Sequence, residues 1–244
     1  MTSGPGEPEP GAVPEHARGD VTRDAAPGTE RPASSSGRYG LLLILLVGTY
    51  LLSAFTTGKL VNAVQIVVFV GSLLLALRSS PISRWVARLI FGVVAVGSAA
   101  AFALVLAQPS QDAVAAAQIW TGLILLVAVV VIVRRILANT TVTLQSIYGA
   151  LSAYIIIGLM FAAFYGAMDR LGGVPFFANG QPGDTRTYQY FSFTTLTTLG
   201  YGDFTAATNA GRAVAVLEAM VGQIFLATLV ARLVSAFRPP APDK

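Results

Sequence analysis

Between two long apolar runs the chain reads Thr198-Leu199-Gly200-Tyr201-Gly202-Asp203. Glycine reaches positive φ without steric cost, and here it recurs at alternate positions. Successive carbonyls of an ordinary strand point in opposite directions. A segment that must turn them all toward one axis therefore needs such unusual dihedrals. The chemistry on offer is ligation of a dehydrated cation by hard main-chain oxygens, with the Thr198 hydroxyl adding one more. A glycine-rich turn between helices is the plainer reading of the same pair. Acid–base and metal chemistry are poorly provided for. The chain has no cysteine, which excludes disulfides, thiolate metal sites and cysteine catalysis. Its one histidine, His16, lies in a Pro/Gly-rich stretch, and Glu218 is the one carboxylate inside an apolar segment. An intramembrane enzyme needs histidines or paired carboxylates there, so no enzyme and no cofactor is expected.

The elements that position this run are apolar. Hydrophobic residues make up 54% of the 244 and charged residues 11%, against about 25% charged in a soluble domain. The formal charge of +4 comes from basic residues lying between apolar runs, so neither nucleic acid nor a soluble substrate is expected as a partner. Residues 1–38 are too poor in large apolar side chains to offset their ordering entropy and read as a disordered cytoplasmic tail. The first apolar run starts near Gly40, behind Glu7, Glu9 and Glu15, unlike a cleavable leader. Six apolar stretches follow, at roughly 40–57, 60–77, 85–107, 114–133, 144–168 and 210–236, each near the ~20 residues that cross the hydrocarbon. In lipid they must be helices. An all-α integral membrane fold with six transmembrane helices is the expectation. Cytoplasmic termini leave only Lys59, Arg170, Arg186 and Arg212 of the 16 basic residues outside, which suits a multi-pass protein of the cell membrane.

The last two helices are joined by a long insert. Its second half, Tyr188 to Thr198, is semi-polar and too short to span, as a re-entrant helix would be. With the Thr-x-Gly-Tyr-Gly-Asp run behind it, the stretch 143–237 resembles the pore domain of potassium channels, in a bacterial-type six-span subunit. The filter of that family is the standing example of selection by carbonyl rings, and the following account is the family's rather than one derived from this chain. The resemblance implies a selectivity filter at Thr198, Leu199, Gly200, Tyr201 and Gly202, with K+ held at Thr198 to Tyr201. It implies support from Asp203, Tyr190, Phe191, Thr194 and Thr197. A closed carbonyl ring needs four copies, hence three further copies of the chain around one axis, with lipid and K+ as the other partners. Tyr190 and Phe191 stand where many members carry paired tryptophans. Tyr190 is expected either to donate to Asp203 behind the filter or to pack as an apolar ring. Leu199 replaces a commoner valine, which leaves a weakly selective cation channel as an alternative.

Gly222 lies 19 residues after Asp203 and Ala227 five further on. That spacing resembles the hinge glycine and a pore-lining small residue of family inner helices, although close helix packing accounts for Gly222 equally well. Gly158, Ala162 and Gly166 form a small-residue stripe on the outer helix, read as packing. Glu218 sits one turn before Gly222, where it is expected to meet Thr194 or Thr195, in a structural role or as a protonation-dependent gating group. The four-helix region 39–137 lacks gating charges: its fourth helix has none between Ile119 and Val133, and Arg134 and Arg135 read as cytoplasmic anchors. After 237 only a short cytoplasmic tail, 238–244, is left for a ligand-binding module. A leak-like or filter-gated channel follows by elimination. A pore-loop transporter subunit and a purely structural membrane protein are the readings from other classes.

Overall fold

Apolar segments that lack water must close their main-chain hydrogen bonds internally, and the described residues do so as helices. A computed structural model describes residues 1–2, 38–55, 68, 70–71, 84–107, 110–138 and 142–236. The chain divides into two units, Met1–Ser34 and Ser35–Lys244, and all named helices belong to the second. They are α1 (Arg38–Phe55), α2 (Arg84–Ala107), α3 (Gln111–Ala138), α4 (Leu144–Leu171), α5 (Thr185–Leu196) and α6 (Asn209–Ala236).

Four of these, α2, α3, α4 and α6, are long and apolar enough to cross a membrane, and α1 is a shorter apolar helix. The stretch expected at 60–77 falls almost wholly outside the described residues, as do most of the tail expected at 1–38 and all of 238–244. Among the described residues, then, four helices meet that measure, and the expectation of six reaches into residues outside them. Helix α5 has 12 residues, about 18 Å of rise, and stops short of crossing.

Helix ends follow local chemistry. Thr143 caps α4 by accepting from the Ser146 amide at 3.3 Å. Asp184 caps α5 by accepting from the Thr187 amide at 2.8 Å and its hydroxyl at 2.7 Å, satisfying amides that a helix start leaves open.

Helix α4 is the hub. It packs against α1, α3, α5 and α6, while α2 packs on α3. Its small residues make this possible. A methyl group at Gly158 would overlap the Phe193 ring of α5, and one at Gly166 would overlap the Gln118 side chain of α3. The small-residue stripe therefore seats neighbours, with Ala162 buried between.

Helix α1 lies between α3 and α5 of its own chain. At one end of α1, Arg135 of α3 donates to the Tyr39 hydroxyl at 2.9 Å and lies 5.2 Å from the ring centre. At the other, the Ser53 hydroxyl lies 2.8 Å from Gln189 Oε1 of α5, and Tyr50 meets Phe193 edge-on at 4.9 Å. Helix α3 bears no charge between Asp112 and Arg134.

Candidate ion pathway

The loop from α4 to α5 is anchored before the chain reaches the glycine pair. Asp169 accepts from the Phe176 amide at 2.7 Å and the Tyr188 hydroxyl at 2.6 Å. Phe177 stacks on Tyr188 at 5.7 Å, and Tyr165 meets Phe191 edge-on at 5.0 Å. These rings form a buried aromatic plate against α5. A short antiparallel pairing joins the same loop to the chain after the glycines, with Ala178 donating to the Thr205 carbonyl and Ala207 to that of Phe176, both at 2.8 Å. The segment 197–203 is thus held at both ends.

Its backbone is unusual. Thr198, Gly200 and Gly202 have φ of 57°, 53° and 81°, while Leu199 and Tyr201 between them stay outside the positive region. Apart from its chain neighbours, no described residue lies within 4 Å of a Cβ added at Gly200 or Gly202, so within one chain the glycines answer to backbone conformation and not to space. The base of the segment is tied to the end of α5. Thr198 donates to the Thr195 carbonyl at 2.9 Å, and Leu199 and Gly200 donate to that of Thr194 at 2.8 and 3.1 Å. The Thr194 hydroxyl donates to the Phe191 carbonyl and the Thr197 hydroxyl to that of Phe193. Residues 197–203 themselves are exposed.

Tyr190 donates to Asp203 Oδ2 at 2.8 Å, and its ring lies parallel to that of Tyr201, with centres 6.5 Å apart. Phe191, its neighbour, is buried in the plate. Asp184 sits at the amino end of α5. Burial alone would raise its carboxyl, but the Thr187 hydroxyl and amide bonds and the Arg186 guanidinium, 3.4 Å away, hold it below its ordinary value of 3.8.

Glu218 does not meet Thr194 or Thr195. It is fully buried where α4, α5 and α6 converge, with Oε2 accepting from the Tyr165 hydroxyl at 2.6 Å and Oε1 lying 2.5 Å from Ser192 Oγ. The expectation missed because Ser192, two residues earlier on α5, faces inward, while Thr194 turns its hydroxyl back onto its own helix. Gly222 lies against the end of α5, where an added methyl would strike the Leu196 carbonyl, the same carbonyl that Tyr154 reaches at 3.2 Å. Ala227 is exposed on α6.

Among the described residues no cluster of His, Cys, Asp and Glu is fit to hold a metal ion. Three features were not read from the sequence: the positive φ of Thr198, the Asp169 anchor, and the Ser192–Tyr165–Glu218 junction. The last had a usable signal, since a buried acid demands hydroxyl or amide partners.

No curated protein and no solved structure matches the chain. The family model described as "Ion channel" matches residues 149–238. That match covers most of α4, all of α5 and its exposed carbonyl-bearing segment, and α6, and it supports an ion-channel pore domain in a membrane protein that passes ions passively.

Proposed function

We propose that the chain is one subunit of a homotetrameric potassium channel whose selectivity filter is Thr198 to Gly202. The observation that carries this reading is the alternation of hand along the segment, with positive φ at 198, 200 and 202 but not at 199 and 201. Residues of alternating hand lay successive peptide planes parallel, so their carbonyls face one side. Four such rows around an axis replace the water shell of a dehydrated potassium ion. Carbonyl rings of this type select potassium in the family that the sequence resembles.

The rest of the domain serves that row. Helix α5 directs its carboxyl end, with about half a negative charge, toward the cation path. Tyr190 and Tyr201 brace the row from behind, and Asp203 fixes Tyr190. The exposure of residues 197–203, and of Leu217, Met220 and Ile224 on α6, fits surfaces that neighbouring copies cover or that line the pore.

The test is the reversal potential of the purified protein in planar bilayers under a potassium/sodium gradient, with Gly200→Ala as control. Reversal near the potassium equilibrium value, lost in the variant, is the expected result. Robust current reversing near zero would replace the selective pore by a weakly selective one and implicate Leu199.

A further inference from the structure

The oxygen contacts around Glu218 fix where a proton must sit. Ser192 Oγ lies 2.6 Å from the Gly158 carbonyl oxygen and 2.5 Å from Glu218 Oε1. A serine hydroxyl has one proton to donate. A main-chain carbonyl has none, so the short Oγ–O contact with Gly158 requires the serine proton. The equally short contact with Oε1 then needs a proton from the other side, and among the described residues the bearer placed to supply it is the carboxyl of Glu218. The Tyr165 hydroxyl donates to Oε2, which leaves Oε1 as the protonated oxygen.

We propose that Glu218 is a neutral carboxylic acid with a resident proton, the first link of a chain running from Glu218 to Ser192 to the Gly158 carbonyl. This acid fastens α6 to α5 and α4 at one point. The surroundings agree with a neutral group. Glu218 and Ser192 are both fully buried. The titratable groups that face Glu218 are Tyr165 and Tyr154, both on α4. Its polar contact on α5 is Ser192, and none of the ion pairs among the described residues involves it. A carboxylate here would be a buried charge without a counter-ion, and it would force two acceptor oxygens, those of Ser192 and Gly158, together with no proton between them. Glutamine reproduces the required pattern, with an NH2 group donating to Ser192 and a carbonyl accepting from Tyr165.

The inference stands on the three-helix geometry and needs no current to be tested. Infrared spectra of the full chain in lipid at neutral pH, in light and heavy water, read the protonated carboxyl directly. An acid carbonyl band present in the wild type and missing in Glu218→Gln is expected. No such band in the wild type, or an undiminished band in the variant, overturns the proposal. Ser192→Ala supplies a second arm that leaves Glu218 in place. Loss of the acceptor should move the band to higher frequency, and an unmoved band overturns the chain as drawn. The melting temperature of Glu218→Gln should stay within about 2 °C of wild type while that of Glu218→Ala falls by roughly 5 °C or more. Equal losses in both variants would overturn the neutral-acid assignment.

Discussion

Thr198 bears a cost that its glycine neighbours avoid, because a β-branched residue at φ 57° is strained. Left-handed backbone costs an L-residue about 1–2 kcal/mol, and such strain gathers at functional positions. Thr198→Gly should therefore raise thermal stability by up to about 1 kcal/mol while lowering the potassium/sodium permeability ratio. Unchanged stability would remove the strain argument. Gly200→Ala moves the other way, adding about 1–2 kcal/mol of strain per subunit, and should abolish selectivity in the bilayer recording. At Asp184 the sign follows from a depressed carboxyl. Its cap contributes stability above the ordinary value of 3.8, and that contribution is lost as pH falls through the lower folded value. Asp184→Ala should cost about 1 kcal/mol at neutral pH, a loss that shrinks on acidification. Melting curves across that range check it. The glycines were legible because residue type alone limits what they do, whereas the Tyr190–Asp203 bond was one of two roles the sequence left open for that ring. Thr198 was not legible, since nothing in a threonine's chemistry announces a left-handed backbone.

Among elements, the contact between α5 and α6 is a close one. Gly222 rests against the Leu196 carbonyl, a rigid main-chain neighbour that cannot swing aside. Gly222→Ala should separate the helices and lower stability by about 1–3 kcal/mol, measurable as a fall in melting temperature. A pure hinge role would instead leave stability level or improved, because alanine favours helix. Helices α2, α3, α4 and α6 were legible to within a few residues from apolar run length, and α5 from its short semi-polar stretch. The partners of Glu218 were not, because spacing along α6 gives its height but not which face of α5 turns toward it. Nor did the sequence say that the early helices rest on their own pore half. That follows from Ser53 meeting Gln189 and Tyr50 meeting Phe193, pairs far apart in sequence that no periodicity links.

At the scale of the whole molecule, native mass spectrometry should give four times the 25.5 kDa of one chain. A monomer or dimer would end the carbonyl-ring reading. The uncharged body of α3 gives the membrane potential little to act on, so conductance should vary weakly with voltage. A different input is open at α1, a shorter apolar helix. Arg135 of α3 holds it at one end and Gln189 of α5 meets it at the other, so a displacement of α1 reaches α5 through Ser53. On the proposed reading, lipid that shifts α1 should change the current, and Ser53→Ala should weaken that dependence, read in bilayers of graded acyl-chain length.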